Sequence, residues 1–207
     1  MAIQTFEYCS LYYLNQWLSY DQSYCQALSE NNKEKKLIAL KRAGGFYGVS
    51  RNVPKECDKD NGMARYQPIL EILDGVYQNQ FQNNPVDRIY EIRNKISKKY
   101  KNRNLLSLTT KFLWLKVKQP ILIYDSQARK ALSTEDGDLD TYYKKWKESF
   151  HLYQDRVKQV CSKLSALSLY SVNTALGTKE YIKEVSSKSW FHERIFDIYL
   201  WNKGNDV

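Results

Sequence analysis

The sequence predicts an all-α protein built as one helical domain over residues 1–207. Apolar residues recur every three or four positions through most of the chain, which is the spacing of one face of a helix. Strand and helix patterns do not alternate, so a parallel sheet is not expected. The composition is 43% hydrophobic and 27% charged, which is typical of globular proteins. We therefore expect a helical domain, with room for two lobes and a cleft between them.

The first half of the chain carries four helical patterns separated by turn signals. They cover residues 6–28, 33–43, 66–77 and 89–100. Gly44-Gly45 is expected to end the second helix, because glycine often follows a helical segment. The longest loop is expected from Gly44 to Gly62. Pro85 suits the first turn of the fourth helix, where its missing N–H costs nothing.

In the second half, a compact apolar helix is expected from Ser107 to Val117 and must end before Pro120. Residues 121–124 form a short apolar run, the one credible strand-like piece of this half. Further helical patterns cover residues 139–167, which would span about 40 Å if unbroken, then a stretch from Thr178 and a last one over 191–201. An acidic loop, residues 133–138, precedes the long pattern.

Positive charge is concentrated in one segment. Arg88 to Lys130 contains twelve lysines and arginines against two acidic residues, a net charge of +10, whereas the whole chain carries +9. Such local basicity favours a polyanionic partner, either nucleic acid or an anionic membrane surface. We find neither a signal-peptide pattern nor an apolar run long enough to span a membrane, and we expect a cytoplasmic protein.

Cysteine and histidine usage argues against a metal centre. The four cysteines are scattered without a CxxC pair, and the sequence contains only two histidines, His151 and His192. We interpret the cysteines as reduced, structural thiols, and we expect no metal site.

The candidate chemistry lies in two short motifs. Leu-Leu-Ser-Leu-Thr-Thr-Lys ends at Lys111, and Tyr-Asp-Ser follows with Asp125 fourteen residues later. A lysine and an aspartate brought together can act on a sugar, because the amine attacks it while the carboxylate stabilises the positive charge that develops.

These motifs resemble the helix-hairpin-helix DNA glycosylase superfamily, in particular its 8-oxoguanine glycosylase branch and the bacterial proteins with that fold. The resemblance covers residues 105–132. It implies a glycosylase-like helical domain with its site region at about 85–132. By the same match, Lys111 is the Schiff-base nucleophile and Asp125 the catalytic carboxylate. The implied activity is removal of an oxidised or damaged base, with cleavage at the abasic site. The substrate is double-stranded DNA with such a lesion, and no cofactor is required.

The hairpin departs from the family pattern. Leu-Pro-Gly-Val-Gly-Thr-Lys in that branch corresponds here to a segment in which Leu106 replaces the proline and Ser107 and Thr109 replace the glycines. Those glycines let backbone N–H groups approach a DNA phosphate, a contact that hydroxyl groups would have to replace here. The residues expected to contact nucleic acid are Lys98, Lys99, Lys101, Arg103, Ser107, Thr109, Thr110 and Arg129.

Plainer interpretations remain open for the same residues. Lys111 could be a solvated residue in the first turn of an amphipathic helix. Asp125 precedes a helical pattern and suits a helix N-cap, a role that is compatible with catalysis. The cations of residues 95–103 could be a solvated helix end. The alternative function is a nucleic-acid-binding or defence-associated protein that retains the fold and lacks the reaction.

Overall fold

The computed structural model of the protein describes residues 5–54 and 62–206, and within them every regular element is helical, which confirms the all-α prediction. The α-helices of these residues are α1 Phe6–Gln16, α2 Gln22–Ser29, α3 Lys33–Phe46, α4 Gln67–Leu73, α5 Pro85–Lys99, α6 Leu106–Val117, α7 Ser126–Ala131, α8 Leu139–Cys161, α9 Lys179–Ser186 and α10 Ser189–Asn205. A π-helical turn covers Trp17–Asp21, and 3-10 turns cover Ser50–Asn52, Ala64–Tyr66, Gln78–Phe81 and Leu164–Tyr170.

The chain forms two compact units. Residues 21–123 make up the first, which we call the Lys111 unit and which contains α2–α6. Residues 1–20 and 124–207 make up the second, the Asp125 unit, which contains α1 and α7–α10. The boundary between Ile123 and Tyr124 divides the site region expected from the sequence.

The Lys111 unit is built around α6. Helix α5 packs on α6 and α4, and α2 packs on α6 and α3. Phe112, Leu113 and Trp114 of α6 are almost completely buried. Nine of the twelve residues of α6 are buried, so it forms the centre of this unit and has no solvent-facing stripe.

The Asp125 unit is centred on α10, which packs against α1, α7, α8 and α9. Trp146 of α8 and Phe196 of α10 are fully buried and meet edge to face, with ring centroids 5.1 Å apart. The expected helix from Thr178 is confirmed, since Thr178 caps α9 by accepting a hydrogen bond from the backbone N–H of Tyr181.

Several expected helix bounds are wrong. The pattern over residues 6–28 is divided by the π-helical turn Trp17–Asp21, and the pattern over 66–77 ends as a helix at Leu73. Helix α3 continues through Gly44-Gly45 to Phe46. A Cβ atom on Gly44 would lie 2.4 Å from the hydroxyl oxygen of Tyr66, so this glycine allows close packing and does not end the helix. The expected loop that follows contains the Ser50–Asn52 turn, and its residues 55–61 lie outside the described residues.

The long pattern over residues 139–167 is also interrupted. Helix α8 has 23 residues and ends at Cys161, and a 3-10 turn follows. Its length is therefore about 34 Å, shorter than the expected 40 Å. Residues 121–124 are buried but belong to no strand, whereas Pro85 occupies the first turn of α5 as expected.

Candidate functional site

Lys111 is buried inside its helix bundle. It lies in the second turn of α6, and only 4% of its surface is exposed. Its Nζ donates a hydrogen bond to the hydroxyl oxygen of Ser107, one turn earlier, at 2.8 Å. The interpretation of Lys111 as a solvated first-turn residue is therefore wrong.

A second lysine of α6, Lys116, is also removed from full solvent exposure. Lys116 is half-buried, and its Nζ donates to the backbone carbonyl of Leu28 at 3.2 Å. Burial lowers the pKa of Lys116, and the neighbouring charge of Lys36 lowers this pKa further. Lys116 is thus a natural comparison for Lys111 in any test of amine chemistry.

Residues 106–111 are helical, so the turn between α5 and α6 comes before the motif that ends at Lys111. Lys101 and Asn102 adopt φ of 55° each, in the left-handed region that favours glycine. The N–H of Asn102 donates to the carbonyl of Ser97 at 2.9 Å and so caps α5. The chain therefore reverses through two non-glycine residues, ahead of the segment that the resemblance assigns to the hairpin.

Four exposed cations surround this reversal, and we call them the basic turn: Lys98, Lys99, Lys101 and Arg103. Lys98 and Lys99 lie in the last turn of α5, where the helix dipole favours positive charge. Arg103 makes a long contact of 3.5 Å to the carbonyl of Asn52. The basic turn thus presents its charges to solvent, where a polyanion can reach them.

The hydroxyl groups of the motif are arranged differently from the expectation. Thr109 and Thr110 are fully buried, and the hydroxyl of Thr110 donates to the backbone carbonyl of Ser107. In this arrangement they cannot reach a phosphate from solvent, so their assignment as nucleic-acid contacts needs correction. The cause is the all-round burial of α6. Ser107 is half-buried and holds Lys111.

Asp125 is the N-cap of α7. Its carboxylate accepts a hydrogen bond from the backbone N–H of Gln127 at 3.0 Å, and the residue is half-buried. Its negative charge acts on the buried Tyr142 and Asp197 of the same unit. The pKa of each is raised, mainly by burial, and the charge of Asp125 raises it further.

Arg129 holds a loop within the Asp125 unit. Its Nη1 donates to the carbonyl of Thr134 at 2.9 Å, and its Nε lies 3.7 Å from the carboxylate of Asp136. The acidic loop 133–138 is therefore attached to α7 through this arginine, whose charge is partly balanced by Asp136.

A buried ion pair in α10 escaped the sequence analysis. Arg194 and Asp197, 5% and 6% exposed, are linked at 2.8 Å, and the indole N–H of Trp146 donates to the other oxygen of Asp197, also at 2.8 Å. The sequence does contain a signal for this ion pair, because two opposite charges lie three residues apart within an apolar helical pattern.

Histidine and cysteine contribute no metal centre within residues 5–54 and 62–206, where no group of three His, Cys, Asp or Glu side chains could hold an ion. Cys9 and Cys161 are buried free thiols, and burial raises their pKa to about 11 and about 12. Cys57 lies outside the described residues. Among the helices that the structure describes, none combines the length and apolar character required to cross a membrane.

Comparison with known proteins adds no relative: no family model, curated protein or solved structure matches this chain. The resemblance to glycosylases therefore depends on the motifs around Lys111 and Asp125.

Proposed function

We propose that the protein is a DNA glycosylase with an associated lyase activity, which removes an oxidised or damaged base from double-stranded DNA and cleaves the strand at the abasic site. The observation that carries this proposal is the burial of Lys111 in the central helix of its unit, with its amine held by Ser107. Fully buried lysines are rare in proteins unless they have a specific role or partner, and nucleophilic catalysis is one such role.

The proposed reaction begins with a nucleotide flipped out of the duplex. The neutral amine of Lys111 attacks C1′ of the sugar while the glycosidic bond breaks and the base leaves with the bonding electron pair. Loss of a proton from the nitrogen and opening of the sugar ring give an imine. The imine acidifies the proton at C2′, and its removal expels the 3′ phosphate by β-elimination. No oxidant or reductant is consumed.

Asp125 is the carboxylate in this proposal. Positive charge develops on the sugar as the glycosidic bond breaks, and a nearby carboxylate stabilises it. The hydrogen bond from Gln127 fixes one carboxylate oxygen of Asp125.

The basic turn supplies the proposed contact to the DNA backbone. Lysine and arginine side chains that neutralise phosphates provide most of the sequence-independent affinity for DNA. Lys98, Lys99, Lys101 and Arg103 are exposed and lie within six residues of one another, so we propose that they contact the phosphates together.

Borohydride trapping tests the proposal. Reduction of the imine links the protein covalently to duplex DNA that carries an abasic site or 8-oxoguanine. We expect an adduct with the wild type and with Lys116→Gln, and none with Lys111→Gln. The Lys116 variant is the matched control because that lysine lies on the same helix, is half-buried and has a lowered pKa. An adduct that persists in Lys111→Gln and disappears in Lys116→Gln would identify Lys116 as the nucleophile and overturn the assignment of Lys111.

A second candidate is a non-catalytic DNA-binding protein, and the hairpin segment favours it. Thr109 and Thr110 are buried and the turn lacks glycine, so the usual backbone contact to phosphate is altered. This protein would bind duplex DNA through the basic turn and form no adduct on any substrate. The trapping experiment, combined with a binding measurement on the same DNA, separates the two candidates.

A further inference from the structure

We infer that Gly204, near the end of the chain, is a positioning residue for Asp125. This inference rests on the proposed function, in which Asp125 is the catalytic carboxylate. The link is short: Gly204 contacts the backbone of Gln127, and the N–H of Gln127 holds the Asp125 carboxylate.

The contact between Gly204 and α7 is too close for any side chain. A Cβ atom on Gly204 would lie 1.9 Å from the carbonyl oxygen of Gln127 and 2.6 Å from its carbonyl carbon. Both of these atoms belong to the backbone, so no flexible side chain can move aside to make room. Alanine at position 204 must therefore separate the first turn of α7 from the last turn of α10, and we infer that α7 is displaced.

The glycine is not required by backbone conformation. Gly204 is the penultimate residue of helix α10, is buried, and is absent from the positions with positive φ in the described residues. The close approach of α7 gives a physical reason for glycine at this position.

Displacement of the first turn of α7 would change the position of Asp125. Gln127 is the second residue of α7, and its N–H donates to Asp125 at 3.0 Å. Displacement of the Gln127 backbone therefore breaks this hydrogen bond or draws the carboxylate with it. Misplacement of a catalytic group by about 1 Å can lower a rate by about 10²-fold.

The position of Asp125 affects one reaction more than the other. Removal of a base requires the carboxylate, because positive charge develops on the sugar as the glycosidic bond breaks. A pre-formed abasic site has no such bond, and its imine with Lys111 depends less on the carboxylate. A shift of Asp125 should therefore slow base excision while adduct formation on abasic DNA continues.

The test compares Gly204→Ala with Gly45→Ala in the full chain. Gly45 is exposed in α3, and a Cβ atom added there would have no neighbour within 4 Å, so alanine at this position should be harmless. For Gly204→Ala we expect base excision from 8-oxoguanine DNA to fall by about 10- to 10²-fold. The borohydride-trapped adduct on abasic DNA should form within a few-fold of the wild-type rate. Equal excision rates in both variants would overturn the inference, as would a proportional loss of both reactions.

Amide hydrogen exchange at Gln127 provides a readout that needs no activity. We expect faster exchange at this amide in Gly204→Ala than in the wild type and in Gly45→Ala. If the wild type shows no excision and no adduct, the proposed function fails, yet faster exchange would still support the link between Gly204 and Asp125. Unchanged exchange in an active protein would overturn the link and leave the proposed function intact.

Gln127→Pro covers the case in which Gly204→Ala does not fold. Proline removes the N–H that donates a hydrogen bond to the Asp125 carboxylate, and it leaves Gly204 unchanged. Proline is also tolerated in the first turn of a helix. The same split is expected, with slow excision and retained adduct formation. Wild-type excision by this variant would mean that the Gln127 amide does not position Asp125.

Discussion

The amine of Lys111 and the hydroxyl of Ser107 lie one helical turn apart on α6, joined by a hydrogen bond of 2.8 Å. Residues four positions apart face the same side of a helix, so the pairing follows from the sequence spacing. Because Lys111 is 4% exposed, water has little access to the amine, and the serine fixes its direction.

Ser107→Ala should weaken both the fold and the proposed chemistry. Loss of one partner of a buried polar pair costs about 1–3 kcal/mol, and the amine becomes less well directed. We expect a lower free energy of unfolding in denaturant titration and slower formation of the trapped adduct. Ser107→Thr keeps the hydroxyl and should stay near wild type in both measurements. Identical behaviour of the alanine and threonine variants would show that the hydroxyl does not hold the amine.

Asp125→Asn should separate the two roles of this residue. Asparagine caps a helix about as well as aspartate, so the melting temperature should change little. Loss of the negative charge should slow base excision by about 10²–10³-fold, while a trapped adduct still forms. Asp138→Asn is the matched control, since Asp138 caps α8 through the N–H of Thr141 at 3.0 Å. If both variants excise the base equally fast, Asp125 is a cap without a catalytic role.

The sequence predicted helices where local signals are strong. Pro85 begins α5 and Thr178 caps α9. Both signals are local, because proline fixes the backbone of the first helical turn and threonine accepts a hydrogen bond from it. The predicted end of α3 was wrong because Gly44 packs against Tyr66, a residue distant from it in the chain. A single sequence does not reveal such a contact.

The candidate site was predicted in part, for a similar reason. The spacing identified Asp125 as a helix cap, which its hydrogen bond to Gln127 confirms. The burial of Lys111 depends on how α2 and α5 cover α6, and periodicity cannot predict this for a helix in which polar and apolar residues are both buried. The ion pair of Arg194 and Asp197 was missed because a charged pair in a helix is usually solvated.

Binding to duplex DNA should depend strongly on salt through the basic turn. If its four exposed cations each neutralise one phosphate, log K should fall with log salt at a slope of about −3.5. Lys98→Ala with Lys99→Ala should reduce this slope by about 2, without changing the preference among sequences. A control with the same loss of charge is Lys158→Ala with Lys163→Ala, both exposed in the Asp125 unit. Titrations of fluorescent duplexes at several salt concentrations measure the slopes, and equal slopes for the two double variants would exclude the basic turn as the DNA contact.

Stability should fall in mild acid because of His192. This half-buried side chain donates from Nε2 to the carbonyl of Ser186 at 2.8 Å, and burial lowers its pKa below the ordinary value of 6.5. As pH falls through 6.5, the unfolded chain therefore gains a proton that the folded chain resists, and the folded state loses stability until the pH falls below the folded pKa. One proton corresponds to at most about 1.4 kcal/mol per pH unit, and solvent screening at a half-buried site reduces this.

His192→Gln should flatten this part of the pH profile. Glutamine can still donate to Ser186 but does not titrate, so denaturant titrations of the variant between pH 7 and pH 5 should show less loss of stability than those of the wild type. His151 is exposed and contacts Gln154, which makes His151→Gln the matched control. That variant should retain the wild-type profile. Flattening by His151→Gln and not by His192→Gln would contradict the assignment.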